Sequence, residues 1–386
     1  MTRVVIVQEY VPHYRAPLFE QMVERGRARG IEIVIAAGKP SGTLAARSDG
    51  VDLSSQRSIP QLELNLAGRR LTVRKLTRVL ADADFVVLEQ ARRNLDAYVL
   101  LGRRRRRFPI ALWGHGRDYT QDVGALSERL RSWLTSRADW FFAYTEGGKK
   151  AVTAEGYPRE RVSVLNNAVD TSELLEGVRN LTEHEKAEFG AQHDLTDATA
   201  LYLGGLDESK RLDFLFESAA AVHAKVPEFR LLIAGSGERE SDVAAFAAHH
   251  SWCVYLGPIQ GKKKWTALAR SQALLIPGRV GLVAVDSFAA GVPIVTTDWP
   301  WHAPEFEYLV PGVNAIVTGD SIDMYADGVL RIFTDHPMRE RLKQEALGLA
   351  RTYSIEKMAE RYIDGIEEWI RGTRAPSGMQ DDKDRE

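Results

Sequence analysis

The strongest constraint in this chain is a rhythm of short apolar runs, each followed by a helix-patterned stretch. Val4–Gln8, Ile31–Ala36, Phe85–Leu88, Ile110–Trp113, Trp140–Ala143 and Val162–Leu165 carry it through the first half. Ala200–Leu203, Arg230–Ala234, Cys253–Leu256, Ala273–Ile276, Ile294–Thr297 and Ala315–Val317 carry it through the second. Continuous apolar runs belong to strands buried on both faces, and strands alternating with helices form parallel sheets. Two such series predict an α/β protein of two Rossmann-like, doubly wound domains. The length of 386 residues agrees, because an ordinary domain uses about 150.

The polar stretch Asp170–Asp197 separates the two series, and Thr182-Glu183-His184-Glu185 inside it has the pattern of a capped helix start. The expected division is a first domain over residues 1–178 and a second over 179–353. Ile355, Met358, Tyr362, Ile366 and Ile370 recur at helical spacing, which predicts a terminal helix over 354–371. The charged segment 372–386 is expected to be a disordered tail.

Composition excludes several classes. A single cysteine, Cys253, rules out a disulfide framework and multi-cysteine metal sites, and points to a cytoplasmic setting. No apolar run approaches the length of a membrane span. Residues 1–180 hold 29 Lys and Arg against 21 Asp and Glu, a net of +8; the rest, 22 against 32, nets −10. The first half therefore favours an anionic partner. Neither zinc-finger spacing nor an RRM-type aromatic signature occurs, so nucleic acid is not expected. The basic run Arg103–Arg107 lies in a helix-to-strand turn: a solvated turn is one reading, and a surface for anionic lipid at the inner face of a membrane is the other.

The loops after the second series carry the chemistry. Gly204-Gly205 would let backbone approach a ligand closely. Lys210 precedes a helix, where a cation is unfavourable unless an anion binds there; a solvated loop lysine is the alternative. Gly235-Ser236-Gly237 joins a strand to a helix, as in a dinucleotide turn without its third glycine. Gly278-Arg279-Val280-Gly281-Leu282 enters a helix carrying Asp286, a carboxylate placed to accept from a ribose diol. His302 and Glu305 follow the next strand. In the first half, His13, Tyr14 and Arg15 follow the opening strand and are candidates for an acceptor side.

These blocks resemble the retaining family 4 (group 1) glycosyltransferases of the GT-B fold. Leu203-Gly204-Gly205-Leu206 followed by Lys210 and Asp213 is similar to the family's VGRL..EKG.D.L. Gly281-Leu282, Asp286, Ala290-Gly291 and Pro293 are similar to EGFGL..lEa.A.G.PVv. ALWGHG at 111–116 and NNAVD at 166–170 resemble first-domain segments, and the match in order and spacing extends over nearly all of residues 1–370. The resemblance implies two lobes facing across a cleft and a terminal helix that returns to the first lobe. It implies that Lys210 contacts a donor diphosphate, that Asp286 contacts the ribose and that His115 lies beside the transferred sugar.

Two positions depart from the pattern. The arginine after the first glycine is Gly205, and the first glutamate falls on Gly278, with the second shortened to Asp286. Arg279 is positioned to supply the missing cation as a bidentate fork, and His302 or Glu305 to replace the lost glutamate near the sugar.

The implied activity is transfer of a sugar from a UDP- or GDP-sugar to an acceptor hydroxyl, on a sugar or a lipid-linked carrier, with retention and without a metal or cofactor. The setting would be glycan, polysaccharide or glycolipid synthesis. A nucleotide-sugar-binding protein with weak catalysis and a sugar-nucleotide epimerase of the same fold are the alternatives. The opening strand leads into Glu9-Tyr10-Val11-Pro12 rather than a glycine loop, which disfavours a dinucleotide oxidoreductase, and no G-x-S-x-G elbow supports a serine hydrolase.

Overall fold

A computed structural model describes residues 1–40, 49–66, 69–119 and 124–374. Their contacts gather into two compact units: the chain up to 118, with 124–166 and the helix from Glu356, forms one, and Asn167–Ile355 forms most of the other. The first contains β1 (Thr2–Gln8), β2 (Ile31–Ala37), β3 (Arg57–Ser58), β4 (Gln61–Leu66), β5 (Arg69–Arg74), β6 (Phe85–Glu89), β7 (Ile110–Gly114), β8 (Trp140–Ala143) and β9 (Val162–Val164). Seven of these make one sheet in the order β3-β2-β1-β6-β7-β8-β9, and every neighbouring pair in it is parallel. Val4–Val7, Val86–Leu88 and Ile110–Leu112 have no solvent exposure, because helices cover both faces of a parallel sheet. Strands β4 and β5 form a separate antiparallel hairpin, which the apolar rhythm did not reveal.

The second unit contains β10 (Thr199–Leu203), β11 (Arg230–Ala234), β12 (Cys253–Gly257), β13 (Ala273–Leu275), β14 (Ile294–Thr297) and β15 (Ala315–Thr318). They form one parallel sheet in the order β12-β11-β10-β13-β14-β15. Both sheets start in the middle, run to one edge and return to complete the other. Such an order reverses beside the first strand, at β1/β6 and β10/β13, where loops diverge and leave a ligand-sized crevice at the carboxyl ends.

Local chemistry sets the boundaries. Thr182 caps the helix Glu183–Gln192 by accepting from the Glu185 N–H, while the Glu185 carboxylate accepts from Thr182: both halves of a capping box are present. The terminal helix Ile355–Arg374 belongs to the first unit from Glu356 onward. Its buried face stacks Tyr362 on Phe142 at 4.5 Å and sets Trp369 edge-on to Phe85 at 4.8 Å. That helix takes in Gly372–Arg374, and residues 375–386 of the expected tail lie outside the described residues. No helix among the described residues is long and apolar enough to cross a membrane.

Candidate functional site

The switch point of the second sheet is assembled from loops that touch through glycine. A Cβ on Gly278 would lie 2.5 Å from both Lys210 C and Ser209 O, so only glycine lets the loop after β13 rest on the turn after β10. The Arg279 N–H donates to Ser209 O at 2.9 Å, and Lys210 Nζ donates to Arg279 O at 2.9 Å. Arg279 and Glu305 both lie within electrostatic reach of Lys210. Burial pulls the Lys210 ammonium below its usual range, Arg279 adds to that, and Asp207 and Glu305 oppose it. Lys210, Arg279 and Glu305 are candidates legible in the sequence, and only the fold brings Arg279 and Glu305 near Lys210.

In this packing Gly278 leaves no room for the glutamate that the resemblance has there. Gly278→Glu should therefore weaken the protein rather than restore a ligand: about 1–3 kcal/mol of destabilisation is expected from forcing the two loops apart, measured by urea unfolding. An unchanged midpoint would show that the loops separate freely.

Gly235 and Gly237 serve packing as well. Cβ atoms on them would fall 1.8 Å from Gly204 O and 2.4 Å from Leu206 O. The Leu206 N–H donates to Ser236 O, and the Arg239 N–H donates to Leu206 O. The absent side chains are thus used in joining the turns after β10 and β11. Gly204 and Gly205 lie on that shared surface, and Tyr202 donates its hydroxyl to Gly205 O at 2.6 Å.

Asp286 lies in the first turn of the helix Val283–Ala290, beyond Val280, Gly281 and Leu282. Its carboxylate receives Lys264 Nζ at 2.8 Å, a partner that motif spacing does not signal because Lys264 sits on a different helix, Gly261–Ala269.

His302 is committed to the fold. The Val280 N–H donates to its Nδ1 at 3.1 Å, so Nε2 carries the proton and donates to Thr297 O at 2.9 Å. Both ring nitrogens are spent on tying the β13 and β14 loops, and the ring stacks on Phe306 at 4.0 Å, which leaves neither nitrogen for the sugar contact considered for it. Burial holds the imidazole down to about 4. A group whose folded pKa lies below its unfolded value near 6.5 must charge on unfolding, so its contribution is intact above pH 6.5 and declines as pH falls toward 4. We expect stability to drop by about 1.4 kcal/mol per pH unit from this group across that window. Urea titrations at pH 7 and 5 should show the loss, and His302→Gln should flatten it.

Glu305 is buried and accepts from Asn167 Nδ2, while the Tyr308 hydroxyl donates to Asn167 O at 3.1 Å. Arg211 was not foreseen. It occupies the left-handed region, φ 56° and ψ 50°, where the resemblance has glycine, at a cost of order 1 kcal/mol. Its guanidinium stacks on Phe214 at 4.3 Å and pairs with Asp320. The signal was there: a residue standing in place of a glycine must find its own support.

The first unit groups the other candidates. His13–Arg15 form a single 3₁₀ turn after β1. Arg15 is buried, with its guanidinium 5.3 Å from the Tyr14 and Tyr144 rings and 5.4 Å from Trp113. It is thus a cation enclosed by aromatic faces, whereas His13 and Tyr14 remain exposed. The exposed His115 ring lies 4.4 Å from Tyr144. Beneath it, a Cβ on Gly116 would meet Gly148 O at 2.5 Å, so His115 is set on the start of the helix Glu146–Ala154. The pair Asp82 and Asp84 holds Arg3, Asp82 as an ion pair at 3.5 Å and Asp84 by accepting its N–H at 2.8 Å.

Comparison with known proteins agrees with this architecture. Residues 18–173 match the model for Glycosyltransferase Family 4, and residues 183–348 match that for Glycosyl transferases group 1. The phosphatidyl-myo-inositol mannosyltransferase of Mycobacterium leprae is 24% identical over 89% of this chain and 90% of its own. The GtfA subunit of a UDP-N-acetylglucosamine–peptide N-acetylglucosaminyltransferase from Streptococcus parasanguinis is 25% identical over 42% of this chain. The matched part spans about a third of that relative, 34%. Anabaena HepE, solved in complex with UDP, superposes with a TM-score of 0.70 over 95% of this chain and 100% of its own, at 13% identity. With a matching model on each half and the fold shared along nearly its whole length, the chain belongs to the group 1, family 4 glycosyltransferases.

Proposed function

We propose that this glycosyltransferase moves a sugar from a nucleoside-diphosphate donor, UDP- or GDP-linked, to an acceptor hydroxyl with retention at the anomeric carbon and without a metal. The observation that supports this most is the meeting of Lys210, Arg279 and Glu305 at the β10/β13 switch point. In this reading Lys210 and Arg279 neutralise the diphosphate, and Asp286, with Lys264 beside it, accepts from the ribose. Gly204, Gly205 and Gly281 present backbone to the nucleotide, and Glu305 contacts the sugar. The same reading assigns His115 to the sugar, and His13 and Tyr14 to the acceptor.

The chemistry asks little of general acids. As the bond from the anomeric carbon to the phosphate oxygen breaks, negative charge grows on the diphosphate and preorganised cations stabilise it. The acceptor oxygen bonds to the same face of the anomeric carbon, and its proton passes to the departing phosphate oxygen. HepE is named as a UDP complex and the streptococcal relative as a UDP-N-acetylglucosamine enzyme, while a Corynebacterium glutamicum relative is named as GDP-mannose-dependent, so both donors stay in the reading. A thermal-shift series with UDP, GDP, ADP and TDP tests it: one of the first two should raise the melting temperature, since a ligand bound only by the folded state stabilises it by mass action. Equal, negligible shifts for all four would overturn the donor reading.

The Gly205 and Gly278 departures favour a second reading, a binder of nucleotide-sugars with weak catalysis. Donor binding without hydrolysis or transfer to any extract-derived acceptor would select it.

A further inference from the structure

The hairpin β4–β5 is built inside out. Register places Glu63, Arg70, Thr72 and Arg74 on one face and Leu62, Leu64, Leu66, Leu71 and Val73 on the other. The charged face turns inward: Arg70 pairs with Glu63 and Glu9, and Arg74 with Asp96 and Glu89. The apolar face turns outward, with Leu62 58%, Leu64 44% and Leu66 67% exposed. A one-residue slip would bury leucines and strand several charges, so the ion pairs hold this orientation in place.

Val73 carries the apolar face into a cavity of about 580 Å³ also lined by Leu76, Leu80, Phe108 and the exposed Val99. Arg103, Arg106 and Arg107 line it too. Arg106 is engaged by Asp139, whereas among the described residues no carboxylate pairs with the exposed Arg103 or Arg107. Asp96, the acid in the lining, is held by Arg74. On the adjoining cavity Arg57, Lys75 and Arg78 are exposed as well.

We infer that this face docks on an anionic phospholipid surface, with the hairpin leucines in the interface, an acyl chain in the Val73–Phe108 cavity and the cations on phosphate head groups. An exposed apolar patch of this kind calls for a non-aqueous partner, and a basic rim suits the negative cytoplasmic leaflet. A second copy of the chain fits less well, because a two-fold contact would set these cations against their own copies. The inference stands apart from the donor reading and extends the role considered for the Arg103–Arg107 turn to a hairpin whose exposure the sequence did not reveal.

Flotation of the full chain with vesicles of phosphatidylcholine alone, or with about one-third phosphatidylglycerol, tests it. The protein should float with the anionic vesicles and be released by salt of about 0.5 M, where charges are strongly screened. Leu62→Ser/Leu64→Ser/Leu66→Ser should weaken binding about tenfold or more, as should Arg103→Glu/Arg107→Glu. Val99→Asp should weaken it if a chain enters the cavity. These residues are exposed, so each variant should keep a cooperative melt at the wild-type temperature. Absence of flotation at low salt, or undiminished flotation of the leucine variant, would overturn the proposal. So would a wild-type dimer in light scattering that the leucine variant abolishes.

Discussion

Lys210→Ala is expected to lower sugar-transfer turnover by about a hundred- to a thousandfold, the usual cost of removing one preorganised group that stabilises developing charge. The lysine is half-buried beside a helix start, and burial already disfavours its charged form. In the proposed function, the donor diphosphate offsets that cost and the partial positive charge of the helix N-terminus when it binds. The loss should fall mainly on kcat, because the leaving diphosphate carries more charge at the transition state than in the bound donor. The variant also loses the bond from Nζ to Arg279 O, worth about 1 kcal/mol of stability, so a melting curve must accompany the kinetics. Lys210→Arg keeps the charge and should recover part of the rate. Turnover within a factor of three of wild type in the alanine variant would remove Lys210 from the proposed machinery, while leaving the family assignment in place.

Arg74→Ala should destabilise the first unit by about 3–5 kcal/mol, the scale for removing one member of a buried ion pair. Arg74 has no exposed side chain and holds two carboxylates, Asp96 through a two-point contact at 3.0 and 2.7 Å and Glu89 at 3.1 Å. Burial pushes the Glu89 carboxyl up, with Arg74 opposing it. Without the guanidinium that carboxyl should move further above its unfolded value. A group raised in the folded state favours folding at low pH and loses that contribution as pH rises through its folded pKa. The defect of Arg74→Ala should therefore be larger at pH 8 than at pH 5, as read by urea unfolding at both. A defect of the same size at the two pH values would mean that lost packing, rather than stranded charge, dominates. The same network anchors the inward face of β4–β5, so the variant should also loosen the hairpin, which amide exchange at Leu62–Leu66 would report.

The two sheets were legible from the chain because their strands are buried on both faces, so each prints a continuous apolar run. Trp140–Ala143, Arg230–Ala234 and Ile294–Thr297 have the bounds expected of them. The hairpin was not legible. Leu62, Leu64 and Leu66 alternate as a strand should, but sequence pattern assigns the apolar face to a core and cannot show it facing out. The loops after the strands were identified as the place for chemistry, since strand order follows from the alternation and ligands gather at the carboxyl ends of such strands.

The sequence by itself determined the fold class and the family, and it proposed loops for the site, because periodicity and motif spacing are local properties written along one dimension. Tertiary structure decided what individual side chains do there. Gly278 and Gly235 are glycine because another loop's backbone occupies the space of their Cβ atoms. His302 is spent on Val280 and Thr297, Arg15 is enclosed by rings from three segments, and Asp286 is met by Lys264 from another helix. Each of these follows from contact between residues distant in the chain, and composition or spacing carries no record of which atoms will share a space once it has folded.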